Sequence, residues 1–127
     1  MGQHKIVLRE ATLDDIDEIC ELSEVVYPGM GYPKEMVRGQ INNFPQGHLV
    51  VTLNKKIVGY TASIRLSEDK VMKSDHTWKE ITGGGYGSTH DPEGDYLYGY
   101  EIFVDPKMRG KRIGQRLYNA RKRIVKY

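Results

Sequence analysis

The chain lacks the features of several protein classes. It has one cysteine, Cys20, among 127 residues, so no internal disulfide can form and we expect a reducing, cytoplasmic setting. It has no apolar run near the roughly 20 residues that cross a bilayer, so we expect no membrane partner. With 39% hydrophobic and 28% charged residues it is also not a disordered chain. These limits predict a single globular domain over residues 1–127.

Acidic residues are missing from the last 21 positions. Nine lysines and arginines lie there, so the net charge of +2 divides into +9 in this segment and −7 over the preceding residues. A basic end on an acidic body indicates a localised anionic partner, either the phosphates of a small ligand or a nucleic-acid backbone. Several of these side chains could equally form a solvated helix face: Arg116, Arg121, Lys122, Arg123 and Lys126.

Hydrophobic periodicity predicts alternating strands and helices. The predicted strands are residues 6–11, 48–53, 57–66 and 97–104. Helices are predicted after a Thr12 N-cap, after Pro33, and from about residue 112 onward. Residues 67–95 are polar and rich in glycine, so we predict a long loop that Trp78 and Tyr86 could pin to the body. This order predicts an α/β fold of the α+β type, with a largely antiparallel central sheet flanked by helices.

The strand at 97–104 carries apolar residues at successive positions. Strict alternation puts Leu97, Glu101 and Phe103 on one face, and Tyr98, Tyr100, Ile102 and Val104 on the other. A strand with two apolar faces is expected to be covered on both sides.

A short basic turn follows that strand and opens the last helix. The unpaired amides at a helix start, together with the helix dipole, favour an anion such as a phosphate. The turn reads Arg109, Gly110, Lys111, Arg112, Ile113 and Gly114.

This hexapeptide resembles motif A of the GNAT family of acyl-CoA-dependent N-acyltransferases, except that Arg112 stands where the pattern prefers glycine. The resemblance extends over nearly the whole chain and implies the GNAT fold. The segments 81–87 and 95–101 are similar to a narrower subgroup, in which the GNAT domain precedes a carbon–nitrogen hydrolase domain. A complete GNAT domain continues beyond the motif A helix with a further strand and helix. We therefore expect this chain to be the incomplete N-terminal portion of such a domain.

The resemblance also implies a donor and its site. Acetyl-CoA would bind as the acyl donor, with its pyrophosphate on the amides of 109–114. Its pantetheine arm would lie along Ile102, Phe103 and Val104, bonded to the exposed backbone of Ile102 and Val104. The Ile102 amide would polarise the thioester carbonyl.

Direct attack by an amine needs a base, and Glu101 is the best candidate because burial could raise its pKa. The alternative is that Glu101 pairs with a basic residue or lies at a solvated strand end. Tyr27, Tyr32, Tyr98 and Tyr100 are candidates for the acceptor site, although aromatics that alternate on a strand more often pack. We expect no metal, since a polar turn explains His90, Asp91, Glu93 and Asp95 better than a ligand set does. Cys20 is expected to be a buried structural thiol.

The acceptor, a small-molecule or protein amine, cannot be read from these residues. An acetyltransferase is the leading interpretation, and a non-catalytic CoA-binding or regulatory module is the alternative. A nucleic-acid binder is a third, weaker hypothesis, because no helix-turn-helix, zinc or RNA-binding signature is present. If no strand follows, the strand at 97–104 lies at an open sheet edge, so we expect a homo-oligomer formed through that edge.

Overall fold

The structure is a computed structural model that describes residues 5–72, 77–108 and 112–125. The strands are β1 (Ile6–Glu10), β2 (His48–Leu53), β3 (Lys56–Leu66) and β4 (Tyr96–Val104). The helices are α1 (Ile16–Val26), α2 (Lys34–Asn43), α3 (Glu68–Met72), α4 (Trp78–Ile81) and α5 (Ile113–Val125). The strands form one antiparallel sheet in the order β1-β2-β3-β4, which confirms the predicted fold class.

Helices cover both faces of the sheet. On one face α1 and α2 bury a first core cluster, which includes Ile19, Val37, Tyr60, Ile64 and Phe103. On the other face α5 buries a second core cluster: Leu49, Val51, Val58, Ile113, Leu117 and Ala120. The side chains of β4 contribute to both clusters, so this strand is covered on both faces as predicted. The described segments contain no helix that is both long and apolar enough to cross a membrane.

A hydrogen-bonded turn connects β1 to α1. Asp15 accepts the Thr12 amide at 2.8 Å, as the third residue of a capping box does, and Thr12 is the N-cap that the sequence predicts. The Arg9 guanidinium donates to both Asp15 oxygens, at 2.7 and 3.0 Å. The pKa of Asp15 is lowered mainly by this arginine and by the Thr12 amide, against the effect of burial.

We expect Asp15→Ala to lower the free energy of unfolding at pH 7 by about 1–2 kcal/mol, because it removes the acceptor of the Thr12 amide and the carboxylate partner of Arg9. The difference from the unmutated chain should shrink as the pH falls below 3.8, the ordinary aspartate pKa, since protonation removes the same interactions. Urea unfolding across pH 3–7 measures this. Asp14→Ala, at an exposed neighbouring position, is the control. An equal loss in both variants would contradict the prediction.

A β-bulge interrupts the pairing of β3 with β4. Ala62 lies opposite Glu101 and Ser63 lies opposite Gly99, so Tyr100 is an extra residue on β4. The predicted faces of β4 are therefore wrong for Tyr98 and Tyr100. Both pack in the first core cluster, together with Phe103, whereas Ile102 and Val104 face the second. An unbroken alternation does not apply across a bulge.

The predicted loop at 67–95 contains two short helices. Thr77 caps α4 by accepting the Glu80 amide at 3.1 Å, which gives a polar segment a local reason to be helical. The indole N–H of Trp78 donates to the Tyr100 carbonyl at 3.0 Å. The side chain of Asn43 donates to the Tyr86 carbonyl at 3.1 Å. Both predicted anchors therefore hold the segment to the body.

Candidate active site

The carboxylate of Glu101 collects three hydrogen bonds just after the bulge. Its Oε1 accepts the Tyr27 hydroxyl at 3.2 Å and the Ile102 amide at 2.9 Å, while its Oε2 accepts the Tyr32 hydroxyl. Two of the four tyrosines predicted for an acceptor site thus meet the predicted base.

The end of α1 positions both tyrosines. The Tyr27 amide donates to the Ser23 carbonyl at 2.8 Å, and the Tyr32 amide donates to the Ser23 hydroxyl at 2.8 Å. Both rings meet the Phe103 ring edge-to-face, with centroids 6.1 and 5.9 Å apart. The rings therefore form a fixed aromatic wall around the carboxylate.

Burial raises the pKa of Glu101, and this is the largest influence on it. The Ile102 amide, the Tyr27 hydroxyl and the positive charge of Arg121 act in the opposite direction. Burial and the nearby Glu101 charge also raise the pKa of Tyr27. A raised pKa makes the Glu101 carboxylate a stronger base than an exposed glutamate, which favours its use as a general base.

Beyond the bulge, β4 presents backbone amides on its side away from β3, where no other strand of the described residues pairs with it. Because the Asp105 amide donates to Val58 of β3 at 2.8 Å, alternation turns Phe103 toward β3 and turns the Ile102 and Val104 amides outward. The Ile102 amide is bonded to the Glu101 carboxylate in this conformation. The Val104 amide is therefore the one of these two that an extended ligand would meet first.

A cleft of about 440 Å³ lies where β4 gives way to α5. Its lining includes Val26, Val104, Asp105, Pro106, Met108, Arg112, Ile113 and Gly114. Three residues of the predicted phosphate turn, Arg109, Gly110 and Lys111, lie outside the described residues.

The described part of the turn begins α5. Arg112 is exposed with φ +56°, and its carbonyl accepts the Arg116 amide at 3.1 Å as the first bond of the helix. The amides of Ile113 and Gly114 therefore belong to the turn whose N–H groups have no helical partner. The Ile113 side chain is buried in the second core cluster, so only its backbone can face the cleft. A Cβ at Gly114 would meet no atom within 4 Å, so the space beside it is open.

The other two predicted acceptor tyrosines lie elsewhere in the first core cluster. Tyr100 is buried, and its hydroxyl lies 2.7 Å from His48 Nε2. His48 Nδ1 lies 2.6 Å from the Phe44 carbonyl, which can only accept, so the proton is on Nδ1 and Nε2 accepts from Tyr100. Tyr98 is half-buried against the same cluster. The packing interpretation fits both residues better than contact with a substrate.

Arg121 contacts the backbone of Glu101, although the sequence analysis placed it on the basic, solvated face of the last helix. It is half-buried, and its Nη2 donates to the Glu101 carbonyl at 3.0 Å and to the Thr61 hydroxyl. Its spacing of four from Leu117, a core position, was the signal that could have identified it. Arg116, Lys122 and Arg123 are exposed, as a solvated face requires.

The acidic turn after α4 has a structural explanation. Asp91 accepts the Glu93 amide at 2.9 Å, and His90 accepts the Arg65 amide at 3.0 Å while its ring stacks on Phe44. Within the described ranges no three His, Cys, Asp or Glu side chains group as a metal site would need. A larger hollow of about 740 Å³ lies between β1, the start of β2 and the end of α5, but it includes none of the predicted site residues.

A sequence profile described as the Acetyltransferase (GNAT) family matches residues 16–126. The chain belongs to the GNAT acetyltransferase family. The match spans the base candidate, the β4 edge and the motif A turn, and it confirms the predicted family.

Two curated relatives come from Bacillus subtilis (strain 168). The chain is 35% identical over 125 residues to the probable hydrolase YhcX, a match over 98% of this chain and 24% of YhcX. It is 30% identical over 121 residues to the uncharacterized N-acetyltransferase YkwB, a match over 91% of this chain and 53% of YkwB. The chain thus spans about a quarter and about half of these relatives. The match to a longer protein named as a hydrolase agrees with the resemblance to GNAT domains that precede a hydrolase domain.

The fold is also that of a solved GNAT protein. The GphF GNAT-like decarboxylase in complex with isobutyryl-CoA superposes with a TM-score of 0.77 at 24% identity, over 89% of this chain and 55% of that one. At this identity the likeness concerns the fold alone.

Proposed function

We propose that this GNAT domain transfers an acetyl group from acetyl-CoA to an amine by direct attack of the amine on the thioester. The observation that carries the proposal is the Glu101 carboxylate, half-buried between Tyr27 and Tyr32 at the open edge of β4. This arrangement supports a base and an aromatic acceptor wall beside an edge of β4 that no other strand pairs with among the described residues.

The donor site is proposed along β4 and the start of α5. The outward Val104 amide and the cleft beside Asp105 suit an extended pantetheine arm. The first amides of α5 and the cationic side chains of the turn suit a pyrophosphate. The isobutyryl-CoA complex of the GphF protein supports a CoA thioester as the ligand class for this fold.

The chemistry divides between Glu101 and the acceptor. An alkylamine arrives as an ammonium ion, and Glu101 accepts its proton so that the nitrogen lone pair is free. The nitrogen then bonds to the thioester carbon and the C–S bond breaks. The proton that the nitrogen loses as the amide forms goes to the departing thiolate, which leaves as the thiol. Tyr27 and Tyr32 orient Glu101, and their rings form the wall against which a cationic acceptor packs.

Neutralising the phosphate turn tests the donor site. We expect the double variant Lys111→Gln and Arg112→Asn to weaken acetyl-CoA binding about 10²- to 10⁴-fold, since each of the two charge-assisted hydrogen bonds contributes about 1.5–3 kcal/mol. Asparagine tolerates the positive φ at position 112. Calorimetry gives the affinities, and Arg116→Gln with Lys122→Gln removes the same charge from an exposed face of α5.

The same titration with pantetheine locates the effect. Its affinity should be equal in the two double variants, because pantetheine has no pyrophosphate. Unchanged CoA affinity in the turn variant would contradict the donor site. CoA binding without transfer to any of a panel of amines would instead support the non-catalytic module. A steep salt dependence of DNA binding with no CoA heat would favour the nucleic-acid binder.

We also propose that the edge of β4 mediates self-association. In the part of the chain that the structure describes, no strand covers this edge, and Ile102 and Val104 are partly buried apolar residues on it. Light scattering should give a mass above that of the 14.6 kDa chain. Val104→Pro, which removes the outward amide, should shift the mass toward the monomer. A monomer at all concentrations would show the edge to be inert.

A further inference from the structure

We propose that Arg121 is a positioning residue for Glu101, acting through the sheet from the face opposite the carboxylate. This inference rests on the proposed function for its catalytic consequence. The structural part of it stands on the contacts of Arg121 alone.

The guanidinium group of Arg121 lies across β3 and β4 at the level of the bulge. Its Nη2 donates to the Glu101 carbonyl at 3.0 Å, to the Thr61 hydroxyl, and more weakly to the Ala62 carbonyl at 3.5 Å. The Thr61 hydroxyl itself donates to the Glu101 carbonyl at 3.1 Å. Two donors therefore converge on the carbonyl of the peptide whose N–H, on Ile102, bonds the Glu101 carboxylate.

A missing side chain makes room for this contact. A Cβ built at Gly99 would come within 2.1 Å of Arg121 Nη1 and 2.5 Å of Cζ. Any larger residue at position 99 would displace the guanidinium. The glycine, the bulge at Tyr100 and the arginine therefore form one arrangement around the Glu101 peptide.

The energetics of Arg121 argue against a purely structural role. Among the described residues, its Nε is buried without a hydrogen-bond partner, and neither of the two ion pairs includes Arg121. Burial accordingly lowers the pKa of its guanidinium. A half-buried cation without a carboxylate partner costs stability. We interpret this unfavourable contribution to stability as the consequence of placing a cation against the peptide of the candidate base.

Arg121 also acts on Glu101 by charge. Among the described residues, Tyr27 at the end of α1, Tyr32 in the link to α2 and the Ile102 amide of β4 bond the Glu101 carboxylate. On the opposite face of the sheet, Arg121 of α5 bonds the Glu101 carbonyl. The neighbouring residues of β3, Thr61 and Ala62, do not titrate in this range. Arg121 is the only cation in this set, and its charge lowers the pKa of Glu101 against burial. It thus favours the ionised form, in which Glu101 can accept a proton.

The test measures the Glu101 titration directly. Carbon-13 NMR follows the side-chain carboxyl signals with pH, and the Glu101 signal is identified by its loss in Glu101→Gln. We expect Arg121→Met to move the Glu101 titration midpoint to higher pH. Arg116→Met, which removes an exposed arginine from the same helix, should leave it in place. An unmoved midpoint in folded Arg121→Met overturns the proposal.

A second variant displaces the guanidinium without removing it. Gly99→Ala should raise the Glu101 midpoint as Arg121→Met does, because the new Cβ occupies the place of Nη1. If Arg121→Met does not fold, this variant carries the test, and an unchanged midpoint in it is equally decisive. Arg121→Lys keeps the charge and should bring the midpoint back toward that of the unmutated chain.

Steady-state kinetics test whether Arg121 also affects catalysis. In Arg121→Met we expect kcat to fall by up to about 100-fold, the effect of misplacing a reacting group by about an ångström, with the KM for acetyl-CoA nearly unchanged. The acidic limb of the pH–rate profile should move to higher pH with the NMR midpoint. If the chain proves inactive, the proposed function fails while the NMR result still decides the role of Arg121.

Discussion

Glu101→Gln should lower kcat by about 10²- to 10⁴-fold, the usual contribution of a general base, while acetyl-CoA binds as before. Glutamine keeps the shape of the side chain and can still accept the Ile102 amide, so the β4 edge should stay intact. The loss arises because the amide group takes no proton from the incoming ammonium. Thiol release with excess amine measures the rate, and calorimetry measures donor affinity.

Two comparisons make this result specific. Glu21→Gln removes an exposed carboxylate from α1 and should leave kcat unchanged. In the unmutated chain the acidic limb of kcat/KM should lie above the ordinary glutamate pKa of 4.5, because burial raises the pKa of Glu101. If Glu101→Gln turns over at the normal rate, the base is elsewhere and the carboxylate serves only to bind the two tyrosines.

Acidification from pH 6.5 to about 4 should destabilise the fold through His48, by about 3 kcal/mol. Burial lowers the pKa of His48 from 6.5 to about 4, with the Phe44 carbonyl acting in the opposite direction. Between pH 6.5 and 4, His48 therefore binds a proton in the unfolded chain but not in the folded chain. The contribution of His48 to the free energy of unfolding is complete above pH 6.5 and is lost as the pH falls toward 4. Protonation would also remove the acceptor of the Tyr100 hydroxyl.

Urea unfolding at a series of pH values tests the His48 prediction. His48→Gln does not titrate, so its stability should change much less between pH 6.5 and 4, although it should be about 1–3 kcal/mol less stable at pH 7. His90→Gln serves as the comparison, because burial lowers the pKa of His90 less and its effect on the slope should be smaller. A slope that survives in His48→Gln would assign the acid sensitivity to other groups.

The sequence was enough to predict the sheet and the main helices, because their signals are local. Two largely apolar runs mark the strands of the β2–β3 hairpin, and Thr12 marks the start of the first helix. The sequence analysis assigned Tyr27, Tyr32 and Glu101 to one active site but did not predict that the two tyrosines donate hydrogen bonds to Glu101. Their hydrogen bonds depend on how α1 ends at Ser23, which is a matter of tertiary packing.

Of the features that the sequence analysis did not predict, the β-bulge at Tyr100 has the largest consequence for the site. One extra residue reverses the side-chain alternation, so Tyr98 and Tyr100 enter the core on the side of Glu101 instead of facing α5. Gly99 inside an apolar strand was the available signal, because a glycine there often marks a bulge or a close approach. Here it marks both, since the approaching group is Arg121.

The indole of Trp78 sets a length limit on whatever lies along the outer side of β4. Its N–H occupies the Tyr100 carbonyl, so the backbone available to a visiting strand or cofactor arm begins at Glu101 and ends at Val104. Four residues at about 3.3 Å each give a track of roughly 13 Å. A strand that forms more hydrogen bonds than this edge offers must first displace the Trp78 side chain. An extended ligand with only a few amide groups can bind along the edge without displacing it.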